Sequence, residues 1–146
     1  MGKAFGMSEG NSADAVEPVE KPELFSKNVR RGILLVWVTY SVALLMMSLV
    51  PGHSVPSPML LGWDKLAHAV AYFVLGTVTA ASLMNRRNWL VLTVVYGCAM
   101  GLISELQQSF APGRDASIAD MVANAIGIAA AVVVAFVWAR YARRAR

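Results

Sequence analysis

GILLVWVTYSVALLMMSLV, Gly32 to Val50, carries no charge over nineteen residues. As a helix rising about 1.5 Å per residue it reaches about 28 Å, close to the ~30 Å hydrocarbon core of a bilayer. Three further runs repeat the pattern: Leu66–Met84 (LAHAVAYFVLGTVTAASLM), Trp89 to about Phe110, and Ile118–Trp138. Pro51, Pro56, Pro58 and the Pro112–Gly113 pair fall in the connections, where helix breakers belong. The runs predict an all-α, polytopic membrane protein: a bundle of four transmembrane helices over residues 32–139.

Composition supports this reading. Of 146 residues, 57% are hydrophobic and 15% charged, where soluble domains carry about 25% charged. Residues 1–31 form a polar tail with Glu9, Asp14, Glu17, Glu20 and Glu23, expected to be disordered. Lys27, Arg30 and Arg31 ahead of the first run resemble a signal peptide, but the tail is long and no A-x-A site follows. That favours an uncleaved first span. Residues 140–146 form a short basic tail. A lone cysteine, Cys98, excludes an internal disulfide or a cysteine metal site and reads as a small buried hydrophobe.

The net charge is +4, but the basic residues cluster beside apolar runs, and no nucleic-acid motif accompanies them. One side of the bundle receives nine: Lys27, Arg30, Arg31, Arg86, Arg87, Arg140, Arg143, Arg144 and Arg146. The other receives two, Lys65 and Arg114. This asymmetry predicts a cytoplasmic (inner) membrane protein with both termini in the cytoplasm. Small residues recur at packing spacing, as Gly97 and Gly101 on the third run and Ala123, Gly127 and Ala131 on the fourth. Such ridges serve either packing within the unit, the favoured reading, or a homodimer interface.

Polar residues gather at one end of three runs. At about 100° per residue, Asp64, Lys65, His68 and Tyr72 share an arc of roughly 100° on the second. Glu105 and Gln108 lie near the end of the third; Ser117, Asp120 and Asn124 open the fourth. A charged residue at mid-span costs about 2.5–3.5 kcal/mol, less near the interface, and each large apolar residue returns about 0.3–0.6 kcal/mol. Such residues therefore need partners, and Arg114 is the expected one for Glu105, Asp115 or Asp120. The alternative to a functional pocket is a hydrogen-bonded plug that locks the helices together.

These residues resemble the VanZ-like family of small bacterial membrane proteins. The resemblance rests on DKLAH (Asp64–His68) with Tyr72 beyond, ELQQ (Glu105–Gln108), PGR (Pro112–Arg114) and DMVAN (Asp120–Asn124), over roughly residues 60–132. The founding member is associated with resistance to teicoplanin, which acts on cell-wall precursors outside the membrane. The resemblance therefore implies a setting in the cell envelope, with a possible link to the glycopeptide response, and no settled activity.

Three mechanisms remain open. The first is binding of an anionic lipid or cell-wall intermediate, such as a polyprenyl phosphate. Asp64, Lys65, Tyr72, Gln108, Arg114 and Asn124 would be the binding residues, with cationic donors from Lys65 and Arg114. Asp64, Glu105, Asp115 and Asp120 outnumber those cations, so the region is net negative unless acids are protonated or a metal is present. The second is a hydrolase or transferase acting on a lipid phosphate. The spacing Arg114–Asp120–Asn124 echoes a motif of membrane lipid phosphatases, which have His and Asp at the last two places. His68, Glu105 and Asp120 would be its catalytic residues, or would hold a divalent cation such as zinc or manganese. The third is an accessory scaffold with a structural polar cluster.

Overall fold

The structure, a computed structural model, describes residues 25–51, 61–114 and 116–145. The acidic tail, His53, Pro56, Pro58 and Asp115 lie outside the described residues. Four helices follow one another: α1 (Lys27–Ser48), α2 (Leu61–Leu83), α3 (Trp89–Gln108) and α4 (Ile118–Arg144). Each is long and apolar enough to cross a membrane. Their outward faces carry Leu35, Met46, Leu66, Val70, Val91, Leu102, Ile126 and Val133, all exposed. An apolar surface on every helix suits lipid rather than water. The chain is a multi-pass membrane protein. The basic cluster Lys27, Arg30 and Arg31 forms the first turns of α1 and is not part of the preceding tail.

Residues 84–88 close a tight connection between α2 and α3, with Arg86 N–H bonded to the Leu83 carbonyl (2.8 Å). Short links make antiparallel neighbours. The α3–α4 link turns at Gly113, whose φ of 73° is the left-handed conformation glycine adopts without a steric penalty. α2 packs most extensively on α4, and α1 packs on α2 and α3 but does not touch α4.

The α2–α4 seam explains the small residues. A Cβ on Gly127 would overlap the Ala69 carbonyl oxygen and lie 2.8 Å from the Phe73 nitrogen, so the two backbones are in contact there. A Cβ on Gly76 would lie 2.7 Å from Ala131 Cβ, and Gly97 is filled by the Ile128 side chain. Both ridges are thus spent inside the four-helix unit. Cys98 points the other way: it is exposed on the outer face of α3, correcting the expectation of a buried thiol. Its neighbour Gly97 occupies the packed face instead.

Lipid offers no hydrogen bonds, so polar groups between helices must satisfy one another. Three relays do so in the same way. A hydroxyl gives its proton to its own helix carbonyl and accepts one from an aromatic donor on a neighbour. Trp37 donates to Thr79 (3.0 Å) and Thr79 to the Leu75 carbonyl (2.7 Å). Tyr96 donates to Ser41 (2.8 Å) and Ser41 to the Trp37 carbonyl (2.7 Å). The third, at Tyr72, belongs to the site below. Tyr40 adds a bond to the Ala71 carbonyl (3.0 Å). Thr79→Val keeps the shape but strands the Trp37 indole N–H. We expect a loss of about 0.6–1.7 kcal/mol in denaturant unfolding of the purified protein, with no loss for a change at exposed Val91 to Leu.

At the end carrying the chain termini, Phe25 stacks on Trp138 (centroids 5.8 Å apart, planes 8° apart). It covers a cluster of Ala80, Met84, Trp89, Ala135 and Ala139. The polar cluster lies at the opposite end.

Candidate functional site

The first turns of α2, the last turns of α3 and the first turns of α4 meet at that opposite end. Asp64, Lys65 and His68 project from α2 at the spacing of one helical turn. The Lys65 ammonium lies 3.1 Å from Asp64 Oδ2 and forms an ion pair with Asp120 Oδ1 across the α2–α4 seam. The two α2 side chains are roughly half exposed, whereas Asp120 is 6% exposed. A buried carboxylate is thereby matched by a cation whose stem comes from the rim.

His68 sits one turn deeper. Its Nδ1 lies 3.0 Å from Asn124 Oδ1. A carbonyl oxygen accepts, so Nδ1 is the donor in this pair, and Nε2 faces Asp120 Oδ2 at 3.9 Å. Asn124 is buried, and its Nδ2 has no partner among the described residues. One turn further in, Tyr72 lies 2.6 Å from Ser104 Oγ. Ser104 gives its proton to the Gly101 carbonyl (2.9 Å), so the tyrosine is the donor.

Glu105 is 2% exposed and belongs to a different part of the cluster. Its Oε2 accepts the backbone N–H of Ser117 (3.0 Å), the residue that caps α4, while Oε1 has no partner among the described residues. An α3 carboxylate thus fastens the start of α4 and favourably opposes the positive end of its dipole. Arg114 was the expected partner for the acids. Among the described residues its guanidinium makes no ion pair with Glu105 or Asp120; Lys65 takes Asp120 instead. The reason is placement: after the Gly113 turn, Arg114 borders a cavity rather than the seam.

That cavity has a volume of about 260 Å³ and lies where α1, α2 and α3 converge. Leu44 and Met47 of α1 face Ala67 and Ala71 of α2 across its apolar part. Asp64, His68, Gln108 and Arg114 supply its polar part. Tyr72 and Ser104 also line it. Asp64, Lys65, His68, Asp120 and Asn124 are therefore brought together; Tyr72, Gln108 and Arg114 line the cavity with Asp64 and His68, and Glu105 turns to Ser117 instead. Asp64, not Glu105, completes the group with His68 and Asp120 whose potential metal-ligand atoms lie within 4.8 Å of one another.

Sequence reasoning missed Ser104 and the contribution of α1. Ser48 on α1 bonds Gln107 on α3 (2.8 Å) beside the cavity. The signal was present: Ser41 and Ser48, seven residues apart and so on one helix face, are the buried residues of α1.

Neither the comparison with curated proteins nor that with solved structures finds a match. A family model, VanZ/LLP1, matches residues 18–139. The match takes in the four family-type segments at the cavity end and also α1, which the sequence motifs alone had left out. With most of its length covered, including every helix that builds the cavity, the chain belongs to the VanZ/LLP1 family.

Proposed function

We propose that the protein binds an anionic cell-envelope lipid, such as a polyprenyl phosphate or a related cell-wall precursor, by its headgroup in the α1–α2–α3 cavity. The carrying observation is the cavity's division into an apolar part formed by Leu44, Met47, Ala67 and Ala71 and a polar part with Arg114. A lipid phosphate with its first isoprenoid carbons has the same division. Arg114 is the natural phosphate donor, because among the described residues its guanidinium makes no ion pair with Asp64, Glu105 or Asp120 and its fork suits bidentate contact. The basic-residue asymmetry supports an orientation with both termini in the cytoplasm of a bacterial cell and the cavity in the outer leaflet of the inner membrane.

The test is native mass spectrometry of the gently solubilised protein with added polyprenyl phosphate. We expect one retained lipid phosphate per chain. Arg114→Gln should reduce retention by about tenfold or more, the value of one charge-assisted hydrogen-bond pair. Equal retention by the variant removes Arg114 from the site, and no retention by either protein overturns the reading.

A further inference from the structure

The cavity's polar part contains an electrostatic contradiction. An anion is to be bound beside Asp64 and Asp120, against which the α2 end supplies one cation, Lys65. The arrangement of His68 points to the resolution. Its Nδ1 is faced by the Asn124 carbonyl oxygen, so in the neutral ring the Nε2 lone pair faces a carboxylate oxygen at 3.9 Å. In that neutral form two acceptors confront each other with no hydrogen to share. Asp120 is 6% exposed; Lys65 meets its Oδ1, which leaves Oδ2 turned toward His68. A histidine whose far nitrogen is fixed by a carbonyl, leaving the near lone pair free, is the arrangement found behind metal ligands.

Asp64 supplies a third atom, four residues before His68 and on the same face of α2. One ligand atom from each of Asp64, His68 and Asp120 lies within 4.8 Å of the other two. Two ligands about 2.0–2.2 Å from a tetrahedral zinc ion stand about 3.3–3.6 Å apart. The His68–Asp120 gap of 3.9 Å therefore closes by a few tenths of an ångström. We propose that Asp64, His68 and Asp120 form a divalent-cation site, for zinc or manganese, with Lys65 as its resident competitor.

One nitrogen with carboxylate oxygens suits these ions. The Lys65 ammonium holds the two carboxylates on a half-exposed, flexible stem, and can leave for water when a divalent ion arrives. Two of the ligands, Asp64 and His68, border the cavity with Arg114. A fourth coordination position directed into that space would take a phosphate oxygen, and the ion's charge would reverse the local sign. The cation site rests on geometry alone; its role toward the lipid phosphate rests on the function proposed above.

The experiment is a zinc titration of tag-free, chelator-stripped protein in detergent, against a chromophoric chelator and without added lipid. We expect one zinc per chain. Asp64→Asn and His68→Gln should each weaken binding by about tenfold or more, by loss of a ligand. Lys65→Met should tighten it several-fold, because the competing cation is gone. His53→Gln and Glu105→Gln should leave it unchanged. Absence of stoichiometric binding, or loss with His53→Gln or Glu105→Gln in place of His68→Gln and Asp64→Asn, overturns the site. Unchanged affinity in Lys65→Met overturns the competitor role. Polyprenyl phosphate retention is then measured with zinc and with chelator. Equal retention in both overturns the bridging role while leaving the cavity reading intact, and zinc binding without any lipid retention overturns the cavity reading alone.

Discussion

Gly127→Ala is expected to disrupt the bundle, although it adds one methyl group. The new Cβ would overlap the Ala69 carbonyl oxygen and lie 2.8 Å from the Phe73 nitrogen. Neither atom can rotate away, since both belong to the α2 backbone. Extra methylenes in a packed core cost about 1–3 kcal/mol when side chains can adjust. Here α2 and α4 must separate, so the cost should reach or exceed the top of that range. Because Lys65, Asp120, His68 and Asn124 meet across the same seam, zinc binding and lipid retention should fall with stability. Gly101→Ala is the control. Its Cβ would lie 3.6 Å from Tyr72 and 3.7 Å from Asn124, ordinary contact distances. That variant should unfold within about 0.5 kcal/mol of the parent. Denaturant titration of both variants checks the pair, and equal stabilities would refute the account of the seam.

The second large effect concerns the Lys65–Asp120 ion pair. Asp120→Asn leaves the lysine facing a neutral amide, and Lys65→Met leaves a buried carboxylate without its cation. Breaking a fully buried pair costs about 3–5 kcal/mol. Lys65 is 39% exposed, so water screens the pair and its ammonium can re-solvate, which lowers the expectation to about 1–2 kcal/mol. The burden is unequal. Lys65→Met should be the more damaging change when chelator is present, because Asp120 is buried and cannot reach water. The double variant should be more stable than the sum of the two losses predicts, with a coupling of about 1–2 kcal/mol. A double-mutant cycle in chelator measures it, and strict additivity would mean that the pair contributes nothing.

The four helices were legible because lipid imposes a coarse rule: a long uncharged run has few alternatives to a helix. Asp64, His68, Asp120 and Asn124 were legible for a related reason, since polar residues in apolar helices stand out and helical spacing gives their faces. Partnership was harder to read. Arg114 was matched to the acids by loop proximity, yet the Gly113 turn directs it to the cavity and leaves Asp120 to Lys65. Glu105 was placed with His68 because both lie at one depth. Depth does not fix azimuth between helices, and Glu105 turns to the Ser117 N–H. The α1 contribution escaped because Leu44 and Met47 are chemically indistinguishable from lipid-facing residues until their neighbours are known.

The ring stack of Phe25 on Trp138 makes α1 a lever. Along its length α1 touches α2 and α3 but not α4, and Phe25, just ahead of it, is pinned to α4 at the termini end. At about 1.5 Å per residue, the 22 residues of α1 give an arm of about 33 Å from that pivot to Ser48. A tilt of about 5° displaces the far end by about 3 Å, the length of the Ser48–Gln107 hydrogen bond beside the cavity (2.8 Å). The width of that crevice thus follows the tilt of α1, which the Phe25–Trp138 stack holds at one end, the Trp37, Tyr40 and Ser41 hydrogen bonds hold along its length, and the Ser48–Gln107 bond holds at the other.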